Sequence, residues 1–207
     1  MESSFLNGIK RGIGISLALV IFWLLIDYFY FSKLEDKNKV KLESQQSVTI
    51  GGDFNLIGKG GKKYNIDSFK GKPLLIFFGF TSCPDICPYG LTMISSVLDT
   101  LDKDSNKINA VFITLDPERD NLEKVSEFAS MFHKEIIGLT GSLEQVGSVA
   151  LAWKVYKKKV FLESSDLGYT IDHSAFIYLM DENGKYYTHF PHSIDAEEII
   201  KELETFI

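Results

Sequence analysis

Between Pro73 and Phe80 the chain reads PLLIFFGF, and between Ile108 and Leu115 it reads INAVFITL. A strand with one wet face alternates apolar and polar residues. A near-continuous apolar run has both faces buried, and that requires cover on each side of its sheet. The segments that follow supply the cover. Pro88–Leu101 places Leu91, Ile94, Val97, Leu98 and Leu101 at helical spacing, and Asp120–Phe132 does the same with Leu122, Val125, Phe128, Ala129 and Phe132. Ser142–Trp153 is a third helical stretch, with Ser142 placed to cap it and Glu144 and Gln145 in its first turn. Ile136–Leu139 reads as a third strand. Ahead of these lies a hairpin, Asp53–Leu56 and Lys63–Ile66 around Gly58–Gly61. Beyond Val155–Phe161 come two strong strands, Tyr169–Met180 and Lys185–Phe190, joined by the turn Asp181-Glu182-Asn183-Gly184, and a closing amphipathic helix, Asp195–Phe206. Hairpin, β, α, β, α, β, α, β, β, α predicts an α/β, thioredoxin-like fold with an N-terminal hairpin.

The N-terminal quarter obeys different chemistry. Residues 12–31 read GIGISLALVIFWLLIDYFYF, with Asp27 as the only charge. About 20 apolar residues span a hydrocarbon core as a helix. The run is too long for a signal-peptide core, and no small-residue cleavage site follows it. It is read as an uncleaved transmembrane anchor, with Tyr28–Phe31 at one membrane interface. Residues 1–11 are then a short N-terminal segment, 32–47 a polar tether, and 48–207 the folded domain. From residue 51 onward, sixteen basic residues face twenty-three acidic ones. That balance argues against a nucleic-acid surface. Lys157-Lys158-Lys159 reads as a solvated face.

The chain has two cysteines, too few for a disulfide scaffold or a four-cysteine zinc site. Both fall in Thr81-Ser82-Cys83-Pro84-Asp85-Ile86-Cys87-Pro88, the loop beyond the carboxyl end of the first buried strand, where open α/β sheets place their sites. Pro88 disfavours helical backbone at Cys87, so the pair is expected in the loop, with Pro88 opening the helix. The positive end of that helix favours thiolates, which are both nucleophiles and soft metal ligands. Three readings stand side by side: buried structural cysteines, a redox dithiol one residue longer than the C-x-x-C of thioredoxin, or a metal site that borrows a further ligand. Of the four histidines, His133 lies at a helix end, and His189 and His192 lie near the last hairpin. His173 follows the loop-like stretch Glu163–Gly168 and opens the long strand to Met180, where it can be carried over a second loop. Spacing alone does not choose among them.

Phe78-Gly79-Phe80-Thr81-Ser82-Cys83-Pro84-Asp85-Ile86-Cys87-Pro88, Asp116-Pro117-Glu118-Arg119-Asp120, Gly138-Leu139-Thr140-Gly141 and Asp172-His173-Ser174, in that order, resemble the Sco/SenC family. These are membrane-anchored, thioredoxin-fold proteins that handle copper for cytochrome c oxidase. The resemblance spans roughly residues 50–207. It implies copper held by Cys83, Cys87 and His173, a redox-active Cys83/Cys87 pair, and a cytochrome c oxidase copper-site subunit as partner. Two thiolates and an imidazole suit Cu(I); Cu(II) wants a fourth donor, and zinc accepts the same set plus water. Asp116, Glu118, Arg119 and Asp120 are read two ways: Asp120 as a helix cap beside a local Arg119 ion pair, or the group as an outer shell that orients the site or as a docking surface. Asp172 is split likewise between outer shell and strand-end cap. Phe78, Phe80, Trp153 and Tyr156 are read as core or rim. The different-class reading is an enzyme, a thiol–disulfide oxidoreductase or a peroxidase-like protein.

Topology brings two arguments into conflict. Two basic residues, Lys10 and Arg11, precede the apolar run, and four, Lys33, Lys37, Lys39 and Lys41, follow it. Positive charge on the cytoplasmic side would put the domain inside. The family resemblance implies the opposite: a single-pass inner-membrane protein with its domain in the periplasm or the mitochondrial intermembrane space.

Overall fold

The computed structural model describes residues 22–29, 49–101, 107–163, 165 and 167–206. The chain divides between Val48 and Thr49. Of the first part, residues 22–29 are helical, with Phe22, Trp23, Leu24, Leu25, Ile26, Tyr28 and Phe29 all exposed. The rest of the expected anchor, 12–21 with 30 and 31, lies outside the described residues, as do residues 1–11 and the tether 32–47. Among the described residues no helix is long and apolar enough to cross a membrane.

The second part is built on a five-stranded sheet. Its strands are β3 (Leu74–Gly79), β4 (Asn109–Thr114), β5 (Ile136–Leu139), β8 (Phe176–Met180) and β9 (Tyr186–Pro191), in the order β5-β4-β3-β8-β9. β3, β4 and β5 run parallel, while β8 and β9 run antiparallel to their neighbours. All six residues of β3 are buried, as its apolar run requires. Leu75, Phe77 and Phe112 pack on one face against α1 (Ile86–Leu101), α2 (Leu122–Phe132) and α4 (Ala196–Leu203). Ile76, Phe78, Val111 and Ile113 pack on the other face against α3 (Leu143–Ala152) and Trp153. The N-terminal hairpin is β1 (Leu56–Gly58) with β2 (Lys62–Tyr64), and β1 lies against Thr140. Its first strand starts later than the apolar pattern predicts, because Asp53 is a loop residue whose carboxylate accepts the Ile66 N–H at 3.2 Å.

Two expectations need correction. The run Tyr169–Met180 is two strands, not one. β7 (Tyr169–His173) pairs with β6 (Lys157–Phe161) in a separate two-stranded ribbon, and β8 joins the main sheet. The exchange of partners falls at Ser174-Ala175. Ser174 donates its N–H to the Tyr156 carbonyl at 3.0 Å and accepts the Tyr156 N–H on its hydroxyl, while the Ala175 carbonyl already accepts from His192. His173 therefore closes a ribbon strand and does not open a sheet strand. The first helix also begins earlier than expected, at Ile86, so Cys87 is helical and Pro88 is its third residue. Proline is tolerated there, because the first amides of a helix have no carbonyl partner to lose.

Candidate metal centre

The parallel register sets Gly79 beside Thr114. The loops leaving β3 and β4 therefore emerge together, and β8, antiparallel to β3, begins at the same edge. Three segments converge there: the cysteine loop, residues 115–121, and the end of the β6–β7 ribbon.

Cys87 is fully buried and Cys83 half-buried; both are free thiols. Cys87 packs onto β3 because position 79 is glycine: a Cβ there would stand 2.6 Å from the Cys87 sulfur and 2.9 Å from the Phe112 ring. In the first turn of α1 the Cys87 N–H points at the Cys83 sulfur, 3.4 Å away. The Cys83 thiol is lowered to about 4. The hydrogen bond from the Cys87 thiol does most of this against the opposing effect of burial, and His173 and the amides of Asp85 and Cys87 add to it. The Cys87 thiol is pushed up, because its proton bonds Cys83, because it is buried, and because Cys83 is charged. The pair thus carries one negative charge, on the more accessible sulfur.

His173 arrives from the ribbon. Its Nε2 lies 3.8 Å from the Cys87 sulfur, across 86 residues of chain, and Phe80 packs edge-on to its ring. Its Nδ1 is 3.0 Å from the Ser174 carbonyl. A carbonyl only accepts, so Nδ1 carries a proton and donates it. Nε2 is left to face the sulfurs: a proton there bonds a thiolate, and its loss frees a lone pair for a metal. Cys87 and His173 would be two of the residues to hold such an ion, and their donor atoms face each other across 3.8 Å. Among the described residues no three His, Cys, Asp or Glu side chains are yet drawn close enough to hold a metal ion. The third donor, Cys83, is within hydrogen-bonding reach of both Cys87 and His173. The chemistry of the donor set, two sulfurs and an imidazole nitrogen, fits a soft ion.

The acidic motif takes a different role from capping. Asn121, not Asp120, caps α2 by accepting the Lys124 N–H. Asp120 is 1% exposed, and its carboxylate accepts from the Thr81 amide, the Thr81 hydroxyl and the Thr114 hydroxyl. It fastens the start of the cysteine loop to the end of β4. Asp116, also buried, holds Arg119 and accepts the Tyr169 hydroxyl at 2.8 Å. The expected Arg119 ion pair is thus present, and Asp116 meets β7 at Tyr169, away from His173. Asp172 is exposed and, by strand alternation, on the face of β7 opposite His173. His133 caps α2, His189 packs on Phe176, and His192 stands edge-on to Tyr89. Phe78 and Trp153 are core, and Tyr156 is exposed. Sequence reasoning missed the bridging role of Asp120 and the part played by Tyr169. The one available signal was Thr81 and Thr114, two hydroxyls at the ends of otherwise apolar strands.

A thioredoxin-like sheet that presents a dithiol at the start of a helix, with an imidazole folded back onto it, defines a thiol protein of the metal-binding or redox class. Residues 42–207 match the SCO1/SenC family model, and the chain belongs to that family. It is 43% identical over 157 residues to an SCO2-like protein of Rickettsia prowazekii, covering 76% of this chain and 77% of the relative. Among solved structures it resembles copper-bound ScoI of Bradyrhizobium japonicum, with 42% identity and TM-score 0.70 over 76% of this chain and 99% of that one. Copper-bound ScoI of Arabidopsis thaliana is similar, with 37% identity and TM-score 0.70 over 75% and 96%.

Proposed function

We propose that this chain is a membrane-tethered copper-binding chaperone that supplies copper to a cytochrome c oxidase copper-site subunit. Cys83, Cys87 and His173 are its ligands. The observation that carries this reading is the meeting of Cys87 and His173 at 3.8 Å beside a Cys83 thiolate. Copper bound to similar chains supports the choice of ion. Two thiolates and one imidazole satisfy Cu(I), and a reachable site with one half-buried sulfur suits cargo that must leave again. Residues 12–31 form the anchor, 32–47 the tether and 48–207 the copper-binding domain, held in the periplasm or intermembrane space. The helical, outward-facing apolar side chains of residues 22–29 support the anchor.

Copper titration of the full chain in detergent against a competing chelator tests the ligand set. Cys83→Ser and Cys87→Ser should each abolish binding. His173→Ala should weaken Cu(II) more than Cu(I), since two thiolates still hold Cu(I). Wild-type retention of both ions by His173→Ala removes His173 from the site. A C-terminal alkaline phosphatase fusion that is active in a bacterial host is expected from the topology, and an inactive one overturns it.

The lowered Cys83 thiol favours a second role on the same residues. The Cys83 thiolate attacks a partner's disulfide and expels one partner thiolate, and Cys87 gives up its proton and resolves the mixed disulfide; two electrons and the one proton of the pair leave here as a disulfide forms, and the partner is left as one thiol and one thiolate, which takes its proton from water. Thiol counts after mild oxidation of metal-free protein should fall from two to zero without unfolding. Two persistent thiols exclude that role.

A further inference from the structure

Among the described residues, the ribbon that carries His173 pairs with no third strand. Ile171 is its one buried side chain, and β6 is exposed along almost its whole length. Something else must fix where the histidine end sits, because a two-stranded ribbon alone is marginal in water.

Residues 116–120 supply it. Arg119 donates from Nε to Asp116 and from Nη1 to the carbonyls of Leu167 and Tyr169, at 3.0 and 2.9 Å. Its guanidinium lies 3.6 Å from the centre of the Tyr169 ring, and the Tyr169 hydroxyl returns to Asp116. Glu118 pairs with Lys159, which also lies over the Tyr169 ring. Apart from the Arg119–Asp116 pair, which stays within the loop, these contacts land on Tyr169 at the start of β7, on Leu167 just before it, or on the β6 partner strand. One residue further on, Asp120 grips Thr81 at the root of the cysteine loop. A single short loop therefore holds both halves of the centre, the cysteines by one carboxylate and the histidine strand by one guanidinium.

We propose that Arg119, locked between Asp116 and Tyr169, is a positioning residue that sets the reach of His173 toward Cys83 and Cys87. It touches neither sulfur nor imidazole. It works through four residues of β-strand, whose rise of about 3.3 Å per residue transmits any shift at Tyr169 to His173. Lysine cannot replace it, because one ammonium lacks the planar fork that meets a carboxylate and two carbonyls at once. The inference rests on the copper reading for its chemistry, but its geometry stands in metal-free protein.

The test compares full-chain wild type, Arg119→Ala, Arg119→Lys and Tyr169→Phe. In metal-free protein, Arg119→Ala should speed hydrogen exchange of the β7 amides at least about tenfold while β3 and β4 stay protected. The His173 ring nitrogen shifts should move toward those of a solvated imidazole. With Cu(II) added, the nitrogen hyperfine signature should weaken and affinity should fall about 10–100-fold, the scale on which residues that orient a metal's ligands act. Cu(I) affinity should change far less. Arg119→Lys should resemble Arg119→Ala, and Tyr169→Phe should fall between the alanine variant and wild type. If Arg119→Ala does not fold, Tyr169→Phe decides. Unchanged exchange and unchanged ring shifts overturn the inference. So does faster exchange with an unaltered Cu(II) signature, since Arg119 would then hold the ribbon without setting the histidine. If wild type binds no copper, the proposed function fails, and the metal-free exchange and ring shifts still decide the role of Arg119.

Discussion

The two cysteines and the histidine are held by opposite means. Cys87 sits on a strand buried on both faces, at the start of a helix whose inner side packs into the core. Its position follows from close packing, in which displaced volume is felt at once. His173 sits on a ribbon whose outer strand is almost wholly exposed, and one buried side chain, Ile171, with a few polar contacts, most of them to one loop, keeps it in place. A centre assembled from a rigid half and a lightly clamped half can change the distance between its donors without disturbing the core. Perturbations on the sheet side should therefore cost stability. Those on the ribbon side should alter the site and leave stability nearly untouched.

The largest effect is expected where the two halves meet. With its thiol held near 4, Cys83 stays ionised at pH 6, whereas an ordinary thiol near 9 is ionised to roughly one part in a thousand there. The pH profile of its alkylation should be flat from pH 8 to 6 and fall only as pH approaches 4. In His173→Ala the inflection should move up, since the imidazole helps hold the charge. An inflection near 9 in wild type would mean that the Cys87 thiol does not bond Cys83, and one left unmoved by His173→Ala would mean that the ribbon and the cysteine loop do not touch as described.

Next comes the sheet itself. Phe112 is fully buried against Phe77 and Phe128, so Phe112→Ala should cost about 3–5 kcal/mol in denaturant unfolding. Phe161, 75% exposed on the ribbon, should tolerate alanine with no measurable shift in midpoint. Equal losses at the two positions would erase the distinction.

Gly79→Ala should cost about 1–3 kcal/mol and displace Cys87, because the new methyl meets sulfur on one side and the Phe112 ring on the other. Copper uptake by that variant should fall with the displacement; wild-type stability and uptake together would show that the strand end yields more readily than its packing implies.

The smallest effect belongs to Lys159→Ala. It removes an exposed ion pair with Glu118 and should leave the melting temperature where it was. A drop of several degrees would make the ribbon a structural part of the domain.

The same contrast decides what could be read in advance. PLLIFFGF and INAVFITL identify β3 and β4 because continuous burial leaves no polar position, and the Ser142 cap with Gln145 opens α3 as its residues suggest. The ribbon has no such pattern. Lys157, Lys158 and Lys159 read as solvated surface and are indeed largely exposed, yet they form half of the strand pair that carries His173. Tyr169–Met180 reads as one strand because its composition stays strand-like through Ser174-Ala175, where the chain changes sheets by exchanging hydrogen-bond partners. His173 was singled out by its family motif and not by spacing. Asp120 was hidden for a physical reason. A carboxylate beside a helix start is normally a cap, and only the tertiary approach of Thr81 and Thr114 makes it a bridge.

The 86 residues between Cys87 and His173 also impose an order in time. A chain emerging from its N-terminus presents both thiols while α2, α3 and the ribbon are still to come. At that stage it holds a dithiol without an imidazole, open to oxidation and to any thiophilic ion. The third donor joins only after β6 and β7 have paired and Arg119 has found Tyr169. Completion of the donor set thus waits for synthesis through β7, and the centre's own geometry records that the chain has been made at least that far.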